Sequence, residues 1–193
     1  MVGIDARKDS REPGLARRSP GGSARTRVLG IDPGTLRTGY GIIDVGVGGA
    51  IHYVACGVLE AKGDSHVGRI NLICGDLKEL VEEFSPAAMA IELAYAGRNP
   101  ASALKLAEAR GAFRQTAFNA GLNVVEYGSN HVKRALTGRA RARKEEVMDR
   151  MARLFSLTST PREDAADALA LAMCHATHLR GAATPASAVG RLP

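Results

Sequence analysis

Four carboxylates in this chain stand where a charge is costly. Asp32 closes the apolar run Val28-Leu29-Gly30-Ile31, and Glu92 closes the run Ala88-Met89-Ala90-Ile91. Asp164 and Asp167 lie three residues apart in "DAADALALA", a segment otherwise made of Ala and Leu. An acid in such surroundings must be solvated, paired or bound to a cation. Taken singly, each has an ordinary reading. Asp32 before Pro33-Gly34 fits a turn, Asp164 fits the first turns of a helix, and Asp167 fits a solvated face. Taken jointly, they form a set that repels itself unless divalent cations lie among its members. Hard oxygen donors of this kind suit Mg2+ or Mn2+. Two such ions about 3.5–4 Å apart clamp a phosphodiester, one activating water and the other stabilising the leaving oxygen.

The elements that must position these acids follow from periodicity. Val28–Asp32, Gly39–Asp44 and Ala50–Glu60 read as strands, the last two joined by the glycine-rich turn "GVGG". From His66 to Phe84, apolar residues recur at three- and four-residue steps, so an amphipathic helix is predicted that stops at Ser85-Pro86. Ala88–Glu92 is a short strand. Asn99-Pro100 supplies an N-cap and a first helical residue for a helix to about Ala120. Asn123–Tyr127 is a fifth strand, and Ser129 is predicted to cap a short helix to about Leu136. Further helices are predicted from about Lys144 to Phe155 and from the capping box Thr160-Pro161-Arg162-Glu163 to Gly181. A hairpin meander followed by strand–helix alternation implies an α/β fold with a mixed five-stranded sheet flanked by helices. In this order Asp32 and Glu92 both end strands, where ligands of α/β folds tend to bind. Asp164 and Asp167 share one helix face. Gly39 and Gly41 point to close backbone approach in the second strand.

Composition bounds the rest. The 193 residues carry a net charge of +6, with 45% hydrophobic residues and three scattered cysteines. No apolar run nears the roughly 20 residues needed to span a bilayer, so no membrane association is expected. Unpatterned cysteines suit buried thiols in a reducing cytoplasm. Residues 1–26 read as a disordered basic extension, 27–181 as one domain and 182–193 as a short tail. Residues 1–27 hold seven Lys/Arg against three Asp/Glu, so the remainder carries only +2. Local charge is therefore more informative than the total. The window His131–Lys144 holds six cations, Lys133, Arg134, Arg139, Arg141, Arg143 and Lys144, and no acid. Such a run fits contacts with nucleic-acid phosphates. The five histidines show no ligand pattern tied to the acids and read as structural.

Four blocks, "GIDPGTLRTGYGII", "AIELAYAGRNPASALKLAEARG", "VVEYGSNHVKRALTG" and "DAADALALA", together resemble the RuvC family of Holliday junction resolvases, over roughly Arg27 to Leu179. The resemblance implies a ribonuclease H-like homodimer that cuts four-way DNA junctions by symmetric, metal-dependent hydrolysis in recombination and repair, leaving 5′-phosphate ends. It implies Asp32, Glu92, Asp164 and Asp167 as catalytic metal ligands, with two Mg2+ per subunit and Mn2+ as a substitute. It also implies stacking by Tyr95 on a base near the exchange point, and phosphate contacts by Lys133 and Lys144. Arg139, Arg141 and Arg143 join them as looser DNA contacts. A RuvA-RuvB branch-migration complex is implied as a partner. The loop Thr35-Leu36-Arg37-Thr38 departs from the family's residue order, and no role is assigned to Arg37. Two other readings compete. One is a junction-binding module without nuclease activity, which the full set of acids disfavours. The other is a phosphotransferase using Asp32, Gly34 and Thr35 on nucleotide phosphates, for which the chain is too short.

Overall fold

The computed structural model describes residues 25–93, 99–157 and 160–183. Five strands form one sheet: β1 (Thr26–Asp32), β2 (Arg37–Val45), β3 (Ile51–Glu60), β4 (Ala88–Glu92) and β5 (Asn123–Tyr127). Their spatial order is β3-β2-β1-β4-β5. The β1–β2 and β2–β3 pairs are antiparallel, and the β1–β4 and β4–β5 pairs are parallel. The helices are α1 (His66–Phe84), α2 (Pro100–Asn119), α3 (Ser129–Thr137), α4 (Lys144–Leu154) and α5 (Glu163–Ala183). This is the mixed sheet the element order implied. Among the described residues, no helix is long and apolar enough to cross a membrane.

Strand alternation divides the core into two layers. Leu29, Ile31, Tyr40 and Ile42 face α1 and α2, where they pack with Ile73, Leu77, Leu80 and Phe113. Val28, Ile43, Val45 and Tyr127 face the other way, toward Val132, Leu136, Val147 and Met151 of α3 and α4 and the whole buried length of α5. The even-numbered residues of β1 and β4 therefore point at α5, and Asp32 and Glu92 belong to that set.

Helix α5 lies directly on strand backbone. A Cβ built on Gly30 would come within 2.0 Å of the Ala168 carbonyl oxygen, on Gly39 within 1.9 Å of the Asp164 carbonyl oxygen, and on Gly41 within 2.6 Å of the Leu169 nitrogen. These glycines, two of them expected to permit close approach, admit the helix itself. The helix answers with small residues: Ala165, Ala166, Ala168, Ala170, Ala172 and Ala176 are all essentially buried.

Several ends differ from the pattern-based expectation. Helix α5 begins at Glu163 rather than after Thr160, with the Ala166 N–H donating to the Arg162 carbonyl. The capping box does not form because the Glu163 carboxylate pairs with Lys144 instead. The helix also runs through Gly181 to Ala183, since an isolated glycine weakens a helix without having to end it. Ser129 is the first residue of α3 and Gly128 its cap, with no side-chain hydrogen bond. The "GVGG" turn closes as a 3₁₀ turn at Val47–Gly49. Asn99 caps α2 as expected, its Oδ1 accepting from the Ala101 N–H at 3.0 Å. The expectations for residues 1–24 and 184–193 lie outside the described residues.

Because the contact is backbone on backbone, neither element can yield locally. Gly30→Ala is expected to destabilise the fold by about 3 kcal/mol, read from the urea unfolding midpoint. An unchanged midpoint would mean that α5 does not rest on β1.

Candidate active site

Parallel pairing of β1 with β4 places Ile31 opposite Ile91, so Asp32 and Glu92 are the next residues on two adjacent strands. Both strands end there, which puts the two carboxylates side by side at the mouth of the sheet, facing α5. Across the antiparallel pair, Asp32 stands opposite Gly39. Gly39 in turn lies beneath the Asp164 backbone, so the same contact that seats the helix brings Asp164 alongside. One helical turn on, Asp167 reaches the same space. An open pocket of about 220 Å³ is lined by Asp32, Glu92, Asp167, Lys133 and Lys144, with Val132, Val147, Ala170 and Leu171 as its apolar wall.

Electrostatics tie the acids together. Burial, then the charges of Glu92, Asp167 and Asp164, push the Asp32 carboxyl up to about 8, against a small opposing effect of Lys144. Burial and the Asp167 charge raise Glu92, while a hydrogen bond with Asp32 and the charges of Lys144 and Lys133 pull it down. Burial raises Asp167, opposed by its bond to Lys144. Asp164 acts on both Asp32 and Asp167. All four sequence-derived acids therefore share one field.

Lys144, the first residue of α4, places its Nζ 2.6 Å from Asp167 Oδ2 and also pairs with Glu163. Burial would lower its pKa, but Asp167 and Glu163 outweigh that and hold the ammonium charged well above its ordinary range. Glu163, expected as part of a cap, instead shares Lys144 with Asp167. Its position four residues before Asp167, on the same helix face, was the available signal.

Among the described residues, no three acid, histidine or cysteine side chains already stand in a closed metal-binding arrangement. With Lys144 seated on Asp167, a cation partly fills the need that the acids create. The donors are all carboxylate oxygens, they are desolvated, and they repel one another; this chemistry fits a hard divalent cation.

The remaining candidates separate. Lys133 reaches the pocket and its charge acts on Glu92. Arg139 is engaged 2.6 Å from Glu146, while Arg141 and Arg143 are exposed. Tyr95 lies outside the described residues. The histidines take structural roles where their partners are defined: the buried His175 Nδ1 lies 2.8 Å from the Tyr127 hydroxyl, and His66 pairs with Glu108.

Residues 28–175 match the family described as Crossover junction endodeoxyribonuclease RuvC. A protein of that description from Chromobacterium violaceum is 41% identical over 157 residues, covering 81% of this chain and 89% of that protein. The structure of Thermus thermophilus RuvC in complex with a Holliday junction substrate superposes with a TM-score of 0.75 at 34% identity, covering 81% of this chain and 96% of that one. The yeast mitochondrial Holliday junction resolvase Ydc2, at 16% identity and a TM-score of 0.52, covers 81% of each chain and shares the fold. The mixed sheet and its helices are thus ribonuclease H-like.

A carboxyl raised in the fold is protonated there over a range in which the unfolded chain is ionised. Without metal, stability should therefore fall as pH rises from about 4, the unfolded value, to about 8, the value in the fold. For this one group the steepest slope is about 1.4 kcal/mol per pH unit. Asp32→Asn removes the effect. Urea midpoints in chelator should decline across this window in the wild type and decline less in the variant. Parallel declines would mean that Asp32 is not in the shared field.

Proposed function

The chain belongs to the RuvC family of crossover junction endodeoxyribonucleases, and we propose that it resolves four-way DNA junctions through the carboxylates at the ends of β1 and β4 and on α5. The observation that carries this reading is the convergence of Asp32, Glu92 and Asp167 on one pocket beside Lys133 and Lys144, with Asp164 near enough for its charge to act on Asp32 and Asp167.

The four acids hold two Mg2+ ions per subunit, for which Mn2+ can substitute. When bound, the cations supply an activated water and stabilise the departing 3′ oxygen. The protein's own part is positional. Asp32 and Glu92 are fixed by strand register, and Asp164 and Asp167 by the seat of α5. Lys144 exchanges its carboxylate partners for a phosphate oxygen as DNA enters, while Lys133 holds a neighbouring phosphate. Arg141 and Arg143 fit further backbone contacts better than Arg139, which Glu146 already engages. Tyr95, between Glu92 and the Asn99 cap, stacks on an unpaired base at the exchange point, a contact worth about 1–3 kcal/mol. Water attack at the scissile phosphorus leaves 5′-phosphate and 3′-hydroxyl ends that a ligase can join.

A four-way junction presents two equivalent strands, so symmetric resolution requires two identical sites. Helix α2 exposes Leu104 at 64% and Phe118 at 71%, with exposed Gly111 midway at seven-residue spacing. This stripe is the surface a second copy would cover, giving a homodimer. By family resemblance, the enzyme acts in the cytoplasm during recombination and DNA repair, together with a RuvA-RuvB branch-migration complex.

A synthetic four-way junction incubated with Mg2+ should be nicked symmetrically on two strands of like polarity. Asp32→Asn should cut roughly 100-fold more slowly or worse while still binding the junction. Equal rates for the two proteins would remove Asp32 from the chemistry. Sedimentation provides a separate check of the dimer: Leu104→Glu with Phe118→Glu should convert it to monomers that nick without coupling. A doubly substituted chain that still sediments as a dimer would place the interface elsewhere.

A further inference from the structure

Glu60, at the end of β3, is surrounded by cations that the carboxylate site does not use. Arg162 Nη1 lies 2.7 Å from Glu60 Oε1, and Arg37 Nε lies 3.6 Å from the same oxygen. Lys62 is close enough for its charge to act on this carboxylate. The Arg37 and Arg162 side chains are 61% and 53% exposed, and Lys62 is exposed as well. One carboxylate thus meets three cations, and the cluster is net positive. The nearest other acids in sequence are Asp64, in the following loop, Glu163, which Lys144 engages, and Asp164 of the carboxylate site. Exposed ion pairs contribute little to stability, so holding the fold together does not account for the grouping.

Register fixes where the cluster sits. Arg37 pairs with Glu60 across β2 and β3, and two residues on, Gly39 pairs with Asp32. Arg37 and Gly39 share the sheet face that carries α5. Arg162 immediately precedes α5 and stands two residues before Asp164. The cluster therefore borders the acids on the β2–β3 side, as Lys133, on the helix that directly follows β5, borders them on the other. From β3 to β5 the sheet has four steps of about 4.8 Å, roughly 19 Å in all. A nucleic-acid strand advances about 3.4 Å per nucleotide along its duplex. About six nucleotides of one strand can thus span the sheet end, with the middle phosphates over the acids.

We propose that Arg37, Lys62 and Arg162 form a second phosphate-binding flank, which grips the cleaved strand on the side of the scissile phosphate opposite Lys133. Glu60 occupies both guanidiniums at the sheet end until a phosphate takes its place. This inference rests on the junction-nuclease reading.

The test is a salt series of binding titrations with a labelled four-way junction, in chelator so that no strand is cut. Arg37→Ala, Arg162→Ala and Lys62→Ala should each reduce the slope of log affinity against log salt by about 1, and the double arginine variant by about 2. Glu60→Gln breaks the same ion pairs but keeps all three cations, so it should retain the slope and bind at least as tightly as wild type. Lys62→Ala removes no ion pair and keeps the question answerable if the arginine variants unfold. Unchanged slopes in these variants, with wild-type binding intact, overturn the flank. So does a Glu60→Gln protein that loses affinity as the arginine variants do, because the cluster would then only tie β3 to α5. A wild-type chain that fails to bind the junction overturns the underlying reading, and the flank with it.

Discussion

The contact between the α5 backbone and the glycines of β1 and β2 is the constraint on which the site depends. Helices that meet through ordinary side chains keep their axes about 8–10 Å apart. Here the carbonyl oxygens of Asp164 and Ala168 would collide with any Cβ at Gly39 or Gly30. That proximity lets two short aspartates on a helix join two acids at strand ends. The same contact explains the composition of α5. Its buried alanines each remove little apolar area from water, so α5 gains less from its own burial than a leucine-rich helix would. The compensating area lies in the layers around it, in Val132, Leu136, Val147 and Met151 on one side and in the Ile and Leu residues across the sheet. The close seat for α5 is thus supported by packing elsewhere.

Bringing four acids together sets up the second constraint. Desolvation and mutual repulsion both raise Asp32 and Glu92, so gathering these acids works against the fold. Lys144 offsets part of this, and the arrangement around it is reversible. Its side chain is 42% exposed, and its two carboxylate partners come from the same face of α5. A half-exposed ammonium can leave for a phosphate with little further desolvation, which a deeply buried one could not do. Glu163 fits this role as a second resting point that holds the ammonium beside the site when Asp167 is otherwise engaged.

Much of the fold and the core of the site were legible because they rest on short-range signals. Apolar runs, the three-to-four-residue period of α1 and the cap signals at Asn99-Pro100, Ser129 and Thr160-Pro161 located the strands and helices of the described residues, and the strand-end acids were visible as charges closing apolar runs. What was not legible depends on tertiary partners. Thr160, Pro161 and Glu163 formed a persuasive local cap, but an ammonium on another helix drew Glu163 away and the helix began later. Gly39 and Gly41 announced a close approach without saying to what, because nothing local encodes the partner of a missing Cβ. Arg37, Lys62 and Arg162 are scattered over 126 positions, and only the β2–β3 register and the start of α5 gather them. The compact run from Lys133 to Lys144 was visible for the opposite reason.

The charge layout has a consequence for how binding and chemistry divide. An acidic centre repels phosphate, and at physiological salt charges are screened beyond about 8 Å. The backbone of a strand cannot be drawn in by the residues that would help cut it. Attraction has to come from cations at the border, close enough to hold the chain and far enough from the acids not to be neutralised by them. Lys133 meets this condition, whereas Lys144 meets it only after giving up Asp167. A border on one side alone would leave the strand free to pivot about that contact, so the scissile phosphate would sample many positions over the acids. Cations on both sides restrain the backbone at two points and fix the segment between them. The sheet end can provide this because β2 and β3 finish on one side of Asp32 while β4 and β5 finish on the other.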